Sequence, residues 1–249
     1  TIAIGEHILQ NGIDMQDPFS WHEDLPYTYP HWAYDVGTYL VYQLGENIGI
    51  GGFAAIYIAT IILSITLGLV LYYALNKICK NQLVAFLVTL GVMYLLKSFI
   101  AARAQLVTYI LFVLTILFIE KFIETKKKRY AVYLIIIPII IANVHLAVWP
   151  FYFVLYLPYI AEYILAILTE SNIFRKLQIK WYKHQIKALT VKNKSKEKIE
   201  ALTAKVDESQ SKLEKSIRRR DERRKNPYRI VLRKENNVKY LIIIMLICV

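Results

Sequence analysis

The sequence predicts an all-α protein, a polytopic bundle of transmembrane helices with a basic helical insertion near its end. Of its 249 residues, 56% are hydrophobic, and the mean hydropathy is +0.37. The apolar residues are concentrated in blocks of membrane-spanning length between residues 51 and 168. The net charge of +12 comes from a different region, residues 169–239, which holds 22 basic and nine acidic residues. This segregation excludes an ordinary soluble domain.

Residues 1–50 are predicted to form an extracytoplasmic loop with two interfacial helices. The apolar residues of 2–11 have a roughly helical spacing, and residues 32–44 show a helical pattern rich in aromatic side chains, which favours headgroup depth. Between them, residues 14–35 contain four aspartates, one glutamate and two histidines but no lysine or arginine. Such a stretch beside a membrane predicts either a reactive site or a structured loop without reactive groups, and its composition leaves both open.

The apolar blocks between residues 51 and 168 predict about five membrane spans, at 52–75, 83–96, 106–119, 130–148 and 151–168, with a tight outer turn at Trp149–Pro150. The orientation follows from lysine and arginine, which favour the cytoplasmic side. Residues 1–50 contain neither, whereas the connection 121–129 contains five of them. We therefore expect a plasma-membrane protein with residues 1–50 outside and residues 169–239 in the cytoplasm.

Two cations are expected on the outer side, beside the acidic loop. An arginine presents a fork of donors that matches phosphate oxygens, which makes Arg103 a candidate phosphate ligand. The alternative for both Arg103 and Lys97 is snorkelling at a helix end, which we prefer for Lys97. Asn143 and His145 fall near the outer end of the fourth span, where polar groups either line a cavity or hydrogen-bond a neighbouring helix.

The basic insertion, residues 169–239, predicts a helical hairpin with weak coiled-coil character. Apolar residues recur every seven positions, but their companion positions are mostly polar; the two sets are Ile199, Val206 and Leu213, and Leu202, Ser209 and Ser216. The cluster of basic residues between 218 and 225 is expected to contact anionic lipids of the inner leaflet rather than nucleic acid.

The ends of the sequence suggest an internal piece of a longer protein. Thr1 is not an initiator, and the ten apolar residues 240–249 are expected to begin a further transmembrane helix. Cys79 and Cys248 form no disulfide or zinc pattern. The acidic and histidine residues of the loop have no metal-ligand spacing, so we predict neither a metal nor a cofactor.

Three motifs resemble signatures of one family. Gly5-Glu6, Asp17-Pro18-Phe19-Ser20-Trp21 and His31-Trp32 resemble the first outer loop of bacterial membrane proteins with the GT-C glycosyltransferase fold. The segment 102–106 (Ala-Arg-Ala-Gln-Leu) resembles a second signature, which usually has proline after the arginine. The segment 143–145 (Asn-Val-His) resembles a third, usually Asn-Leu-His. The resemblance covers roughly residues 1–168, and the basic insertion has no counterpart in it.

The resemblance implies an integral-membrane glycosyltransferase. Such enzymes take a sugar from a polyprenyl-phosphate donor and pass it to a lipid, glycan or protein acceptor, with an outer aspartate as general base and cations on the donor phosphate. It implies Asp17 as the catalytic base or an acceptor-binding residue, His31 as an orienting or acid–base partner, Arg103 as the phosphate ligand and His145 as a cavity residue. The remaining substrate-binding candidates, chosen for position and chemistry, are Asn143, Asp14 and Lys97.

Two other functions are compatible with the sequence. A transporter or flippase of lipid-linked sugars also needs a phosphate-binding arginine and polar groups within its spans, and it would be favoured by internal repeats or matched broken helices, which the sequence lacks. A non-catalytic membrane assembly protein would use the basic hairpin to dock a cytoplasmic partner. The glycosyltransferase hypothesis differs from both in requiring Asp17 and Arg103 at one outward cavity.

Overall fold

The computed structural model describes residues 1–22, 25–170, 173–191, 196–224 and 238–248. Within these ranges the chain is helical and contains no strand, which confirms the all-α prediction. The α-helices are α1 (Ile2–Asn11), α2 (Trp32–Asn47), α3 (Gly52–Cys79), α4 (Gln82–Leu96), α5 (Ala104–Thr125), α6 (Lys128–Val144), α7 (Trp149–Val154), α8 (Leu157–Glu170), α9 (Ile173–Val191), α10 (Lys196–Arg224) and α11 (Val238–Ile247). Short 3-10 helices lie at Lys97–Phe99 and Leu146–Val148.

Among the described residues, four helical stretches are long and apolar enough to cross a membrane, which fits a membrane protein. They are Gly52–Cys79, Gln82–Phe99, Ala104–Thr125 and Leu146–Leu165. The first three predicted spans fall inside α3, α4 and α5. Helix α3 has 28 residues, about 42 Å at 1.5 Å per residue, and therefore exceeds the hydrocarbon core of about 30 Å.

The boundary between the predicted fourth and fifth spans differs from the prediction. Helix α6 has 17 residues with Pro138 inside it, about 26 Å of helix. It ends at Val144, and the chain leaves the helical conformation at His145 rather than at Trp149–Pro150. Pro150 lies in the first turn of α7, where a proline needs no N–H and its fixed φ suits the helix. Trp149–Pro150 thus starts a helix instead of forming a turn.

The chain divides into two compact units, residues 1–157 with 239–249 and residues 158–238. In the first unit, α1 packs on α2, α2 on α3, α3 on both α4 and α5, and α5 on α6, while α2 also contacts α6. The α3–α5 contact includes a cluster of buried residues, Leu67, Leu106 and Ile110. These contacts form the scaffold that holds the loop between α1 and α2.

A glycine allows α1 and α2 to approach closely. A Cβ atom on Gly5 would lie 2.1 Å from the backbone oxygen of Asp35 and 2.6 Å from its carbonyl carbon. Both atoms belong to the backbone of α2, so no side-chain movement would make room for it. Gly5 therefore fixes the distance between α1 and the start of α2, the part of α2 that carries His31 and Asp35.

In the second unit, α9 and α10 pack as an antiparallel pair. Arg175, near the start of α9, donates to the carbonyl oxygen of Lys212, in the second half of α10, at 2.7 Å. Ile179 of α9 and Val206 of α10 are buried. Helix α9 is thus the neighbour that covers the heptad residue Val206.

Candidate functional site

The first and third sequence motifs meet in the structure. The indole Nε1 of Trp32 donates to Oδ1 of Asn143 at 2.9 Å. The rings of His31 and His145 lie edge to face, with centroids 4.8 Å apart and an interplanar angle of 69°. The start of α2 and the end of α6 are therefore joined by two adjacent contacts between residues more than 100 positions apart.

His145 is buried and has a partner on α5. Its Nδ1 lies 3.4 Å from the hydroxyl of Thr108, and the Thr108 hydroxyl itself donates to the carbonyl oxygen of Ala104 at 3.1 Å. Thr108 therefore holds the His145 ring against α5. We call His31, His145 and Thr108 the histidine cluster.

His31 and Asp35 place two buried polar groups at the start of α2. Nδ1 of His31 is buried and has no hydrogen-bond partner among the described residues. Asp35 lies one helical turn later and is 5% exposed. Burial raises the pKa of Asp35, while the amino group and hydroxyl of Thr1, followed by the charge of His31, act in the opposite direction. A buried carboxylate beside an unpartnered imidazole nitrogen is the kind of arrangement that supports proton transfer.

Asp14 is held by donors from the loop and from α1. Its Oδ1 accepts from the Tyr29 hydroxyl at 2.7 Å, and its Oδ2 lies 3.0 Å from Nε2 of His7. The hydrogen bond from Tyr29, followed by those from the Gln16 N–H and from His7, lowers the pKa of Asp14 to about 2. Burial and the Asp14 bond raise the pKa of Tyr29 to about 12. Asp14 is therefore an ionised anchor of the loop.

Asp17 keeps one carboxylate oxygen available. Its Oδ1 accepts from the N–H of Phe19 at 3.0 Å, while its own N–H donates to Leu25 oxygen at 2.8 Å. Within the described part of the chain, Oδ2 makes no hydrogen bond. The turn that starts at Asp17 thus orients the half-buried carboxylate and leaves its Oδ2 atom available.

The two predicted cations are exposed and lie at helix ends. Arg103 directly precedes α5, and its guanidinium makes no hydrogen bond or ion pair with any described residue. Lys97 follows α4, and its Nζ lies 4.3 Å from the centroid of the Tyr94 ring, a cation–π contact. The Arg103 donors are therefore available to bind an anion, whereas the Lys97 ammonium group contacts the Tyr94 ring.

An apolar cavity of about 300 Å³ lies beside the motif residues. It is lined by Ala33, Tyr34, Gly37, Thr38, Val41, Ile56, Ala59, Thr60, Leu63, Ala102, Val107 and Val144. The hydroxyls of Thr38 and Thr60 donate to helix carbonyl oxygens at 2.8 and 2.9 Å, so they present little polarity to the cavity. Ala102 and Val144 are the sequence neighbours of Arg103 and His145, although Asp17, Arg103 and His145 are not among the lining residues.

The structure thus brings together His31, Asn143 and His145. Sequence reasoning missed Asp35 and Thr108. Asp35 follows His31 by four residues in a helical pattern, a spacing that predicts a shared face. Thr108 is one of several threonines in apolar helices and carries no such signal.

Over the described residues, no group of three His, Cys, Asp or Glu side chains is arranged to hold a metal ion. Comparison of the chain with protein-family models, curated proteins and solved structures finds no match.

Proposed function

We propose that the protein is an integral-membrane glycosyltransferase of the GT-C type, which transfers a sugar from a polyprenyl-phosphate donor to an extracytoplasmic lipid, glycan or protein acceptor. The observation that carries the proposal is the contact of His31–Trp32 with Asn143–His145, at 4.8 Å between ring centroids and 2.9 Å between hydrogen-bonded atoms. This contact supports the proposal because it joins parts of two of the three motifs that resemble the family. The orientation that fits is residues 1–50 outside, with α1 and α2 at the bacterial membrane surface, and the basic insertion in the cytoplasm.

The departure from the family's usual second motif is compatible with this proposal. Ala104 occupies the place of the usual proline, and it is the first residue of α5. The first position of a helix is the one where proline is most readily accommodated, because its missing N–H has no partner there. Alanine at this position keeps the same helix start, so Arg103 remains just before it.

In the proposed reaction, an acceptor hydroxyl attacks the anomeric carbon of the sugar. The new bond joins the acceptor oxygen to that carbon, while the bond between the carbon and the donor phosphate oxygen breaks. Asp17 takes the hydroxyl proton as general base. Arg103 neutralises the charge that develops on the departing polyprenyl phosphate.

The other residues around the proposed site either position the loop or bind substrate. Both polar ends of the Asn143 amide are used, since Oδ1 accepts from Trp32 and Nδ2 donates to Ile139 oxygen at 2.7 Å. Asn143 is therefore a positioning residue for the loop. His145 and His31 lie between α2 and α6, where His31 has an unused nitrogen. The apolar cavity beside Ala102 suits a segment of the isoprenoid chain.

The proposal is tested by sugar transfer in membranes that contain the protein, with a panel of radiolabelled polyprenyl-phosphate sugars. We expect Asp17→Asn to reduce transfer by about 10²–10⁴-fold, the usual effect of losing a general base. The asparagine retains the oxygen that accepts from Phe19, so the turn is preserved. We expect Arg103→Ala to reduce transfer by about 10²-fold or more, while Lys97→Ala, the matched control cation, leaves it within about threefold.

Each outcome has a distinct meaning. Loss of transfer in Asp17→Asn and Arg103→Ala supports both roles. If Asp17→Asn remains active and Arg103→Ala does not, the base is another carboxylate, and Asp35 is the first to test because it is buried beside His31. No transfer from any donor by the parent protein contradicts the enzyme proposal and favours a transporter or an assembly protein.

A further inference from the structure

Helix α9 has three faces with different chemistry. One face packs against α10 and contains the buried Ile179. At 100° per residue, a second face carries an unbroken stripe of lysines spaced four, three and four residues apart. These are Lys176, Lys180, Lys183 and Lys187, and all four are exposed. A third face, next to the lysine stripe and away from Ile179, carries Leu177 and Trp181.

The third face is apolar and uncovered in the described structure. Leu177 is 57% exposed and Trp181 is 55% exposed. They are four residues apart and therefore adjacent on the helix surface. Large apolar side chains that lie together beside a row of charges are typical of an interaction surface, because water solvates them poorly.

The charge on α9 is not balanced within the helix. Its 19 residues include Arg175 and the four lysines but no aspartate or glutamate. In the part of the chain that the structure describes, none of the four lysines has an ion-pair partner. Helix α10 differs, because it contains seven acidic residues and its Arg218 pairs with Glu222 at 3.2 Å. Of the two helices α9 and α10, α9 therefore carries the greater uncompensated positive charge.

We propose that the lysine stripe and the Leu177–Trp181 face of α9 together bind the surface of an anionic lipid bilayer. The lysine ammonium groups would contact lipid phosphates while their stems lie along the apolar boundary. Leu177 and Trp181 would enter the boundary between headgroups and acyl chains, the depth that tryptophan prefers. A bilayer is favoured over a protein or nucleic acid because it presents a charged layer next to an apolar layer. The lysine stripe matches the charged headgroups, and the adjacent Leu177–Trp181 face matches the apolar layer below them.

Chain connectivity also favours a bilayer. The candidate span Leu146–Leu165 ends eight residues before Ile173, where α9 begins. Eight residues reach at most about 28 Å, so α9 starts within reach of the membrane that this span would cross. The inference is independent of the proposed glycosyl transfer. It also moves the expected lipid contact from the arginines near residue 218 to α9; Lys225, the last residue of that cluster, lies outside the described residues.

The test uses the whole chain in nanodiscs whose lipids carry bromine on the acyl chains, which quenches nearby tryptophan fluorescence. The contribution of Trp181 is the difference between the parent protein and Trp181→Phe. In discs with about 30% phosphatidylglycerol, we expect lipid bromine to quench Trp181 at least about twofold more than in discs of phosphatidylcholine alone. Leu177 and Trp181 anchor the helix only once the lysines have drawn it to the surface.

A lysine variant and a matched control identify the charges responsible. Replacing the four stripe lysines by glutamine should reduce quenching of Trp181 in anionic discs to the level of neutral discs. The control variant replaces the four exposed α10 residues Lys196, Lys198, Lys205 and Lys215 by glutamine, which removes the same charge, and it should leave quenching unchanged.

Three results would overturn the proposal. Quenching of Trp181 that is equal in neutral and anionic discs would show that anionic lipid is not recognised. An equal effect of the α10 control would show that the stripe has no special role. Full accessibility of Trp181 to aqueous iodide in anionic discs, with RNA or an acidic protein protecting it instead, would replace the bilayer with that partner.

Discussion

At the scale of single residues, the acidic loop owes its shape to paired groups rather than to an apolar core. Asp14 accepts from Tyr29 and His7, and the buried Tyr29 hydroxyl shares its proton between Asp14 and Gln16 oxygen, which lies 2.8 Å away. These bonds favour the ionised carboxylate. Asp14 therefore stabilises the folded loop above its ordinary pKa of 3.8, and this contribution is lost as the pH falls towards about 2.

Removing the Tyr29 hydroxyl should raise the pKa of Asp14. In Tyr29→Phe we expect it to move from about 2 towards 3.8, because the largest interaction with the carboxylate is lost. The loop should then lose structure at a higher pH than in the parent protein. The measurement is an NMR titration of the ¹³C-labelled aspartate carboxyls.

The control for this titration is Tyr27→Phe. The Tyr27 ring lies 4.8 Å from that of Tyr29 in an edge-to-face contact, so its phenylalanine variant changes the same aromatic pair without touching Asp14. An Asp14 titration that is identical in the parent protein and Tyr29→Phe would contradict the assigned hydrogen bond.

Residue identity alone did not predict which polar groups meet. His31, His145 and Asn143 were identifiable from composition and from motif position, and the structure places them close together. Their partners were not identifiable, because the bond from Trp32 to Asn143 joins residues 111 positions apart. Helical periodicity reports which face a residue occupies, but it carries no information about which other helix lies against that face.

At the scale of elements, close backbone contact controls the position of the site. The α1–α2 contact at Gly5 leaves no room for a Cβ atom, since the backbone oxygen of Asp35 would be 2.1 Å away. The helices would have to separate to accept even a methyl group, and separation would move His31 relative to α6.

Gly5→Ala should therefore destabilise the first unit. We expect a loss of about 1–3 kcal/mol from overpacking, or a fall of about 3–10 °C in the midpoint of thermal unfolding in detergent. Gly91→Ala in α4 is the matched control, because its Cβ would meet no heavy atom within 4 Å. A midpoint in Gly5→Ala as high as that of Gly91→Ala would show that α1 does not rest on α2.

The sequence predicted the presence of the helices more accurately than the residues at which they begin and end. The heptad of Ile199, Val206 and Leu213 predicts a helix with one covered face, and Val206 is indeed buried in α10. The turn assigned to Trp149–Pro150 was wrong because proline has two opposite effects. It breaks a helix from within but fits the first turn, and sequence alone did not distinguish a helix that ends before Pro150 from one that begins there.

At the scale of the whole molecule, the separation of charge predicts its orientation. Residues 1–50 contain no lysine or arginine, and α9 contains no acidic residue. The positive-inside tendency would place them on opposite sides of a membrane. Composition was sufficient to predict an all-α protein with membrane-spanning helices, but the arrangement of those helices depends on contacts that composition does not specify.

Cysteine labelling in intact cells tests this orientation. We expect a membrane-impermeant maleimide to label Thr28→Cys, in the exposed part of the loop, when Cys79 and Cys248 are replaced by serine. Native Cys79, exposed at the end of α3, should be labelled only after the membrane is permeabilised. The reverse pattern would invert the orientation, and labelling of both positions in intact cells would contradict passage of α3 across the membrane.

The contact between His31–Trp32 and Asn143–His145 also has a consequence for biosynthesis. Its two halves are separated by α3, α4, α5 and most of α6, so the first half emerges from the ribosome well before the second. The contact therefore forms only after α6 has been synthesised. A variant that stalls any intervening helix would lose activity with every site residue intact. Loss of activity in such a variant would report failed assembly, not a missing chemical group.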